Sequence, residues 1–191
     1  MRPARALPYA FDASARRTKD GLLLAIANSG AAGAGFAVYP ANAAAGGPWY
    51  YAVEAGKTLS DTLPVAGTGY DFILRGPNGF MRHFRGDAAD AIEVNHLYEP
   101  STETFKVTLR NKTEQKCNVL VTNAYDGSAA RTLSLESNAE TTGSWDIANA
   151  GHWYDISVTV AGDSVFLRRL AGHIETGRTS TSDPALDWPR T

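Results

Sequence analysis

Two stretches of this sequence follow one pattern, and that duplication constrains the fold more than any bulk property. Residues 70–87 read YDFILRGPNGFMRHFRGD, and residues 154–173 read YDISVTVAGDSVFLRRLAGH. Tyr70 aligns with Tyr154, and Phe80, Arg82 and Gly86 align with Phe166, Arg168 and Gly172. Earlier segments match in the same order. GLLLAIANSG (21–30) pairs with TFKVTLRNKT (104–113), GFAVYPAN with CNVLVTNA, and YAVEAGKTLSDTL with LSLESNAETTGSW. A chain that repeats its segments in order folds as the same unit twice.

That unit is all-β. Short alternating runs rich in Val, Ile, Thr, Tyr and Phe dominate, and the alanine-rich stretches are broken by Gly and Pro too often to make helices. Strands are predicted near 7–13, 22–28, 35–39, 49–53, 58–63, 70–75 and 80–85. The second set is predicted near 92–98, 105–111, 118–123, 131–135, 140–146, 153–160 and 164–170. About seven antiparallel strands per repeat, with a turn signal between each, is the pattern of an immunoglobulin-like β-sandwich. Residues 1–89 and 90–177 are therefore expected to form two tandem homologous sandwiches. The near absence of a linker around RGDAADAIEVNH predicts that they pack together. The polar end, 178–191, is expected to be an extended or disordered tail.

Composition excludes several classes. The net charge of −2 provides no global field for nucleic acid, and no nucleic-acid partner is expected. A single cysteine, Cys117, permits neither an internal disulfide nor a zinc cluster, and reads as a small buried hydrophobe. His83, His96, His152 and His173 lack the spacing of metal ligands, so neither metal nor cofactor is expected. No nucleophile elbow or phosphate-cradling loop is visible, and Arg85-Gly86-Asp87 is too short to signal adhesion.

The remaining candidates are contact residues. Pro77-Asn78-Gly79 reads as a tight hairpin turn, with Pro77 at the first central position of a type I turn and Gly79 left-handed in a bulge. Gly76, Gly79 and Gly86 are assigned as structural, as are Tyr70 and Tyr154. Arg82 lies in phase with Phe80 and Phe84, on an apolar face where a charge needs a partner. Because Arg168 repeats it, both arginines are assigned to the scaffold, each tying a carboxylate within or between sandwiches. Arg75 and Arg85 have no basic counterpart and are candidate phosphate or domain contacts, with Pro77, Asn78 and Phe80 on the turn between them. Trp49, Tyr50 and Tyr51, beside Gly46-Gly47, are candidate aromatic contacts for a lipid interface or a sugar ring.

GPNGFMRHFRG resembles the G-P-N-G-F-x-R-x-F-x-G signature of the C-terminal domain of bacterial phosphocholine-specific phospholipases C, which occurs there in tandem. LPYAFDA, AIANSGAAGAGFAVYPA, VEAGKTLSD and GHIETGRTSTSDPAL resemble the same family, so the likeness spans nearly the whole chain. The second repeat departs from the signature at the Pro-Asn-Gly turn, which ties any role of that turn to the first. The resemblance implies a non-catalytic module of an exported enzyme that releases phosphocholine from phosphatidylcholine or sphingomyelin. It implies a catalytic domain of the same chain as partner, and a phospholipid surface as a further candidate partner. None of the family's catalytic residues is matched here. A carbohydrate-binding or adhesive module is the alternative from another class.

Overall fold

The computed structural model describes residues 2–42, 46–87, 90–99, 101–127 and 129–187. Strands dominate, in antiparallel pairings throughout. A short strand β1 (Pro3–Ala4) precedes the first repeat. That repeat comprises β2 (Phe11–Thr18), β3 (Gly21–Asn28), β4 (Ala34–Pro40), β5 (Trp49–Val53), β6 (Lys57–Leu63), β7 (Tyr70–Arg75) and β8 (Met81–Gly86). The second comprises β9 (Ile92–Glu99), β10 (Thr104–Asn111), β11 (Cys117–Asn123), β12 (Arg131–Leu135), β13 (Glu140–Asp146), β14 (Trp153–Val160) and β15 (Asp163–His173). Strand β16 (Ser180–Thr181) and two 3-10 turns, Ala148–Ala150 and Pro184–Asp187, are the other elements among the described residues.

Each repeat sets three strands against four. The three-stranded sheets run β2-β3-β6 and β9-β10-β13. Strict alternation builds them: along β10, Phe105, Val107, Leu109 and Asn111 point inward and are buried. The four-stranded sheets run β5-β4-β7-β8 and β12-β11-β14-β15. Each sandwich keeps its own core, one around Leu24, Val38 and Phe72, the other around Val107, Val121 and Trp145.

The four-stranded sheets are not separate. Strand β8 pairs with β15 from Met81↔Ala171 to Arg85↔Leu167, which makes one eight-stranded sheet. Two strands that would otherwise expose unpaired backbone thus satisfy each other. His83 faces Arg169 at the centre, flanked by Arg82↔Leu170 on one side and Phe84↔Arg168 on the other. The halves are therefore related by a pseudo-two-fold axis through this pair.

Sequence-equivalent residues occupy equivalent positions. Tyr70 faces Gly86, and Tyr154 faces Gly172. Asn28 and Asn111, both buried, each end a strand and use the side-chain amide to hold the following loop. Asn28 donates to Ala32 and Val53 carbonyls, and Asn111 to those of Gln115, Leu135 and Glu136.

Three expectations differ in detail. The first long strand lies at Phe11–Thr18 rather than 7–13, because β2 follows β3 along its whole length to Thr18↔Gly21. The 76–80 turn carries positive φ at both Asn78 (56°) and Gly79 (70°), with Phe80 N–H donating to Pro77 O at 3.1 Å. That is the backbone of a type I′ turn on Asn-Gly, the form that matches strand twist, rather than a type I turn on Pro77. Residues 180–187 of the expected tail are folded back: β16 pairs with β1, Thr181 O accepts Trp153 Nε1–H, and Tyr125 donates to Asp183. Residues 188–191 lie outside the described ones.

Candidate functional site

The polar chemistry of the seam is built on the repeated arginines. Arg82 rises from β8, almost fully buried, and donates to the carbonyls of Met81 (2.9 Å) and Ala171 (3.1 Å). It also donates to Tyr154 Oη at 3.1 Å and stacks over the Phe80 ring at 4.3 Å. Arg168 is its mate. It donates to Leu167 O and Arg85 O, to Asp90 at 2.7 Å and to Tyr70 Oη, and lies over the Phe166 ring. Each half's arginine is thus planted on the other half's tyrosine. A Cβ on Gly86 would meet Tyr70 Oη at 2.6 Å, so only glycine lets the tyrosine lie across the strand there.

The two ends of this arrangement carry different carboxylates. Arg168 meets Asp90, itself buried, which also accepts from Tyr70. Burial raises the Tyr70 pKa, and the hydrogen bond and charge of Asp90 add to that rise against the lowering by Arg168. The phenol therefore stays protonated and remains a donor. Arg82 instead has Asp12 at 3.9 Å, with a carboxylate 58% exposed. His96 Nε2 lies between them, 2.9 Å from Asp12 and 3.2 Å from Arg82. A proton on Nε2 serves the carboxylate, and a bare Nε2 serves the guanidinium. Burial pushes the Asp12 carboxyl up, but the hydrogen bond and charge of His96, with the charge of Arg82, hold it below its ordinary value.

The Gly76–Phe80 turn packs into the same seam. Asn78 donates to Glu175 Oε1 at 2.8 Å, and Glu175 Oε2 accepts from Leu7 N–H. His173 Nδ1 lies 3.0 Å from the same Glu175 oxygen. A Cβ on Gly79 would stand 2.7 Å from the Trp153 ring. Phe80 is buried edge-on against Phe11 and Phe36. The turn of the first half is therefore covered by the second. Sequence reasoning missed Asp12, Asp90, Trp153, His173 and Glu175. A signal for Trp153 was present, since its counterpart before Tyr70 is Gly69.

Other candidates separate by side of the sheet. Arg85 is half-buried and donates to the carbonyls of Val165 (2.8 Å) and Ser164 (3.3 Å) in β15. Strand alternation splits the aromatic trio. Trp49 turns inward onto Phe72, and Tyr51 turns inward and donates to Asp61 at 2.7 Å. Tyr50 points outward and is 72% exposed. Beside it Arg75 is exposed, with no side-chain partner among the described residues. A shallow depression of about 330 Å³ includes Tyr50, Arg75, Ala37 and Gly76. A larger groove of about 610 Å³ runs between β2 and β9. All four histidines sit within 3.5 Å of a carboxylate: His83 with Asp71, His96 with Asp12, His152 with Glu103, His173 with Glu175. Among the described residues no cluster of three or more such groups could hold a metal.

Fold and seam together define a duplicated antiparallel sandwich whose buried polar groups join its two halves. The profile of the family described as "Bacterial phospholipase C, C-terminal domain" matches residues 3–87 and again 92–173. The chain belongs to this family. It is 40% identical to the non-hemolytic phospholipase C of Burkholderia pseudomallei, over 97% of this chain and 28% of that protein. It is 36% identical to the non-hemolytic phospholipase C of Pseudomonas aeruginosa, over 97% of this chain and 29% of that one. Against the hemolytic phospholipase C of P. aeruginosa the identity is 35%, over 98% and 30%. The chain thus spans less than a third of the length of these relatives and corresponds to their C-terminal part.

Proposed function

We propose that this chain is the non-catalytic C-terminal region of a phospholipase C, a phosphoric diester hydrolase whose reacting groups lie in the remainder of the enzyme. In this reading it packs against the catalytic portion and assists contact with lipid, and the enzyme is exported. Its working units are the two modules 1–89 and 90–177. Arg75 and Tyr50 are its candidate lipid contacts, Trp49 and Tyr51 being turned inward, while Arg85 and the Pro77–Phe80 turn serve the fixed geometry of the unit.

One observation carries the proposal: nearly all of this chain matches under a third of each relative, and that third is its end. The seam supports it as well, since Arg82 donates to Tyr154, Arg168 to Tyr70 and Tyr70 to Asp90 across the two halves. Among the described residues no helix is long and apolar enough to cross a membrane. The test is a phosphodiesterase assay on the isolated chain, beside the full enzyme with and without this region. No turnover by the chain alone, and altered activity or vesicle affinity in the truncated enzyme, are expected. Turnover by the isolated chain would overturn the proposal.

A further inference from the structure

The pseudo-two-fold axis supplies an internal control, because the paired positions of β4, β5 and β7 have counterparts at the same register in β11, β12 and β14. On the inner faces the chemistry is kept: Tyr70 and Tyr154, Arg82 and Arg168, Asn28 and Asn111, Val38 and Val121. The outer face of the eight-stranded sheet is different. Tyr39, Tyr50, Ile73 and Arg75 occupy the positions held in the second half by Thr122, Thr132, Ser157 and Thr159.

The four divergent residues form one patch. Tyr50 and Arg75 lie on either side of Ala37, two strand spacings or about 10 Å apart. Tyr39 stands opposite Ile73 on the next outward row. Tyr39 is 41% and Tyr50 72% exposed, which puts both among the most exposed large hydrophobics of the molecule. Gly35 and Ala37 keep the ground between them low. Asp71 on this face of β7 is engaged by His83 at 2.6 Å, and Arg75 has no carboxylate partner among the described residues. Water alone gives no reason for one half to carry Tyr, Tyr, Ile and Arg where its twin carries Thr, Thr, Ser and Thr.

We infer that this outer face, formed by β5, β4 and β7, is where the protein rests on a phospholipid bilayer. The inference builds on the lipid-contact reading above. A guanidinium without a carboxylate is suited to a phosphate oxygen pair. Tyrosine prefers the depth where its ring meets acyl chain and its hydroxyl meets head groups. The partner is chosen by complementarity: a bilayer presents phosphate and apolar surface together, and the relatives are named for acting on phospholipid. The second half, which carries Thr132 and Thr159 on either side of Leu120 with Thr122 and Ser157 on the next row, stays in solvent.

The test is vesicle co-sedimentation of the whole chain, with phosphatidylcholine alone and phosphatidylcholine mixed with phosphatidylglycerol. The variant combines Tyr39→Thr, Tyr50→Thr, Ile73→Ser and Arg75→Thr, which puts the second half's own residues on the first. Each is already accepted by this fold at the equivalent position, so the circular dichroism spectrum and urea midpoint should change little. Vesicle partitioning should fall about tenfold or more, since the variant removes the cation and both interfacial tyrosines together. The reverse graft of Thr122→Tyr, Thr132→Tyr, Ser157→Ile and Thr159→Arg should raise it. If the wild-type chain binds no vesicles, this inference and the lipid-contact reading fall together. Equal binding by wild type and variant would overturn this patch and the assignment of Arg75 and Tyr50 with it, leaving only lipid contact through some other surface of the chain. A variant that binds vesicles normally but loosens from the catalytic portion would show that the face is an intramolecular interface, and would overturn the inference too.

Discussion

The two halves share a plan and differ in what surrounds it. Both place a tyrosine on a glycine and send an arginine to the neighbour's tyrosine. Yet Arg168 is closed over a buried aspartate, whereas Arg82 reaches an exposed one through a histidine. The turn of the first half, at Asn78-Gly79, is wedged under Trp153, while the corresponding turn at Gly162 stands in open space. The tyrosine, arginine and glycine at the heart of the joint are the same in both halves, whereas Trp153 at its edge answers to Gly69. Residues facing away are free to diverge, and they have.

Breaking the joint on its two sides should therefore cost unequal amounts. Arg168→Met strands Asp90 in the interior and should destabilise the chain by about 3–5 kcal/mol. Arg82→Met leaves Asp12 in water and should cost about 1–3 kcal/mol, the value of lost charged hydrogen bonds. Urea unfolding of both variants measures the gap, and equal costs would erase the asymmetry. The turns should rank next. Gly79→Ala combines left-handed strain of about 1–2 kcal/mol with a collision against Trp153, whereas Gly162→Ala carries the strain alone. A Gly162 variant as unstable as the Gly79 variant would mean that the Asn78-Gly79 turn gains nothing from its contact with Trp153.

The asparagine pair should behave alike. Asn28→Ala and Asn111→Ala each orphan buried carbonyls and should each cost about 1–3 kcal/mol. Unlike values would show that the loops they hold are not equivalent. The smallest effect belongs to Asp12. Its pKa in the folded chain lies below the ordinary 3.8, so its contribution is present above that pH and fades as pH falls through the lower folded value. Asp12→Asn should remove that part of the acid dependence of stability and leave a flatter profile below pH 3.8 than the wild type. A superimposable acid limb would show that the His96 bridge contributes no linkage.

Much of the fold was readable because local rules govern it. Alternation fixed β7, β12, β13 and β14 to the residue, and the Asn that stops a strand in each repeat marked the duplication. What was not readable depends on contacts distant in sequence. The Asn78-Gly79 turn announces its geometry, but nothing within it says that Trp153 and Glu175 will cover it. Arg82 announced a need for a partner, and its equivalence with Arg168 pointed to the scaffold. That each would cross to the opposite half follows only from the pairing of β8 with β15. The aromatic run at 49–51 looked like one surface. Period-two geometry divides it, with Tyr50 outside and its neighbours inside.

The pairing of β8 with β15 has a mechanical meaning. Tandem sandwiches usually hang from a tether and swivel, but here the backbone ladder runs unbroken from one to the other. Tilting one repeat relative to its twin would require shearing the ladder and pulling two guanidinium groups out of their sockets. The unit therefore acts as a single stiff plank, and any partner gripping one end fixes the attitude of the other.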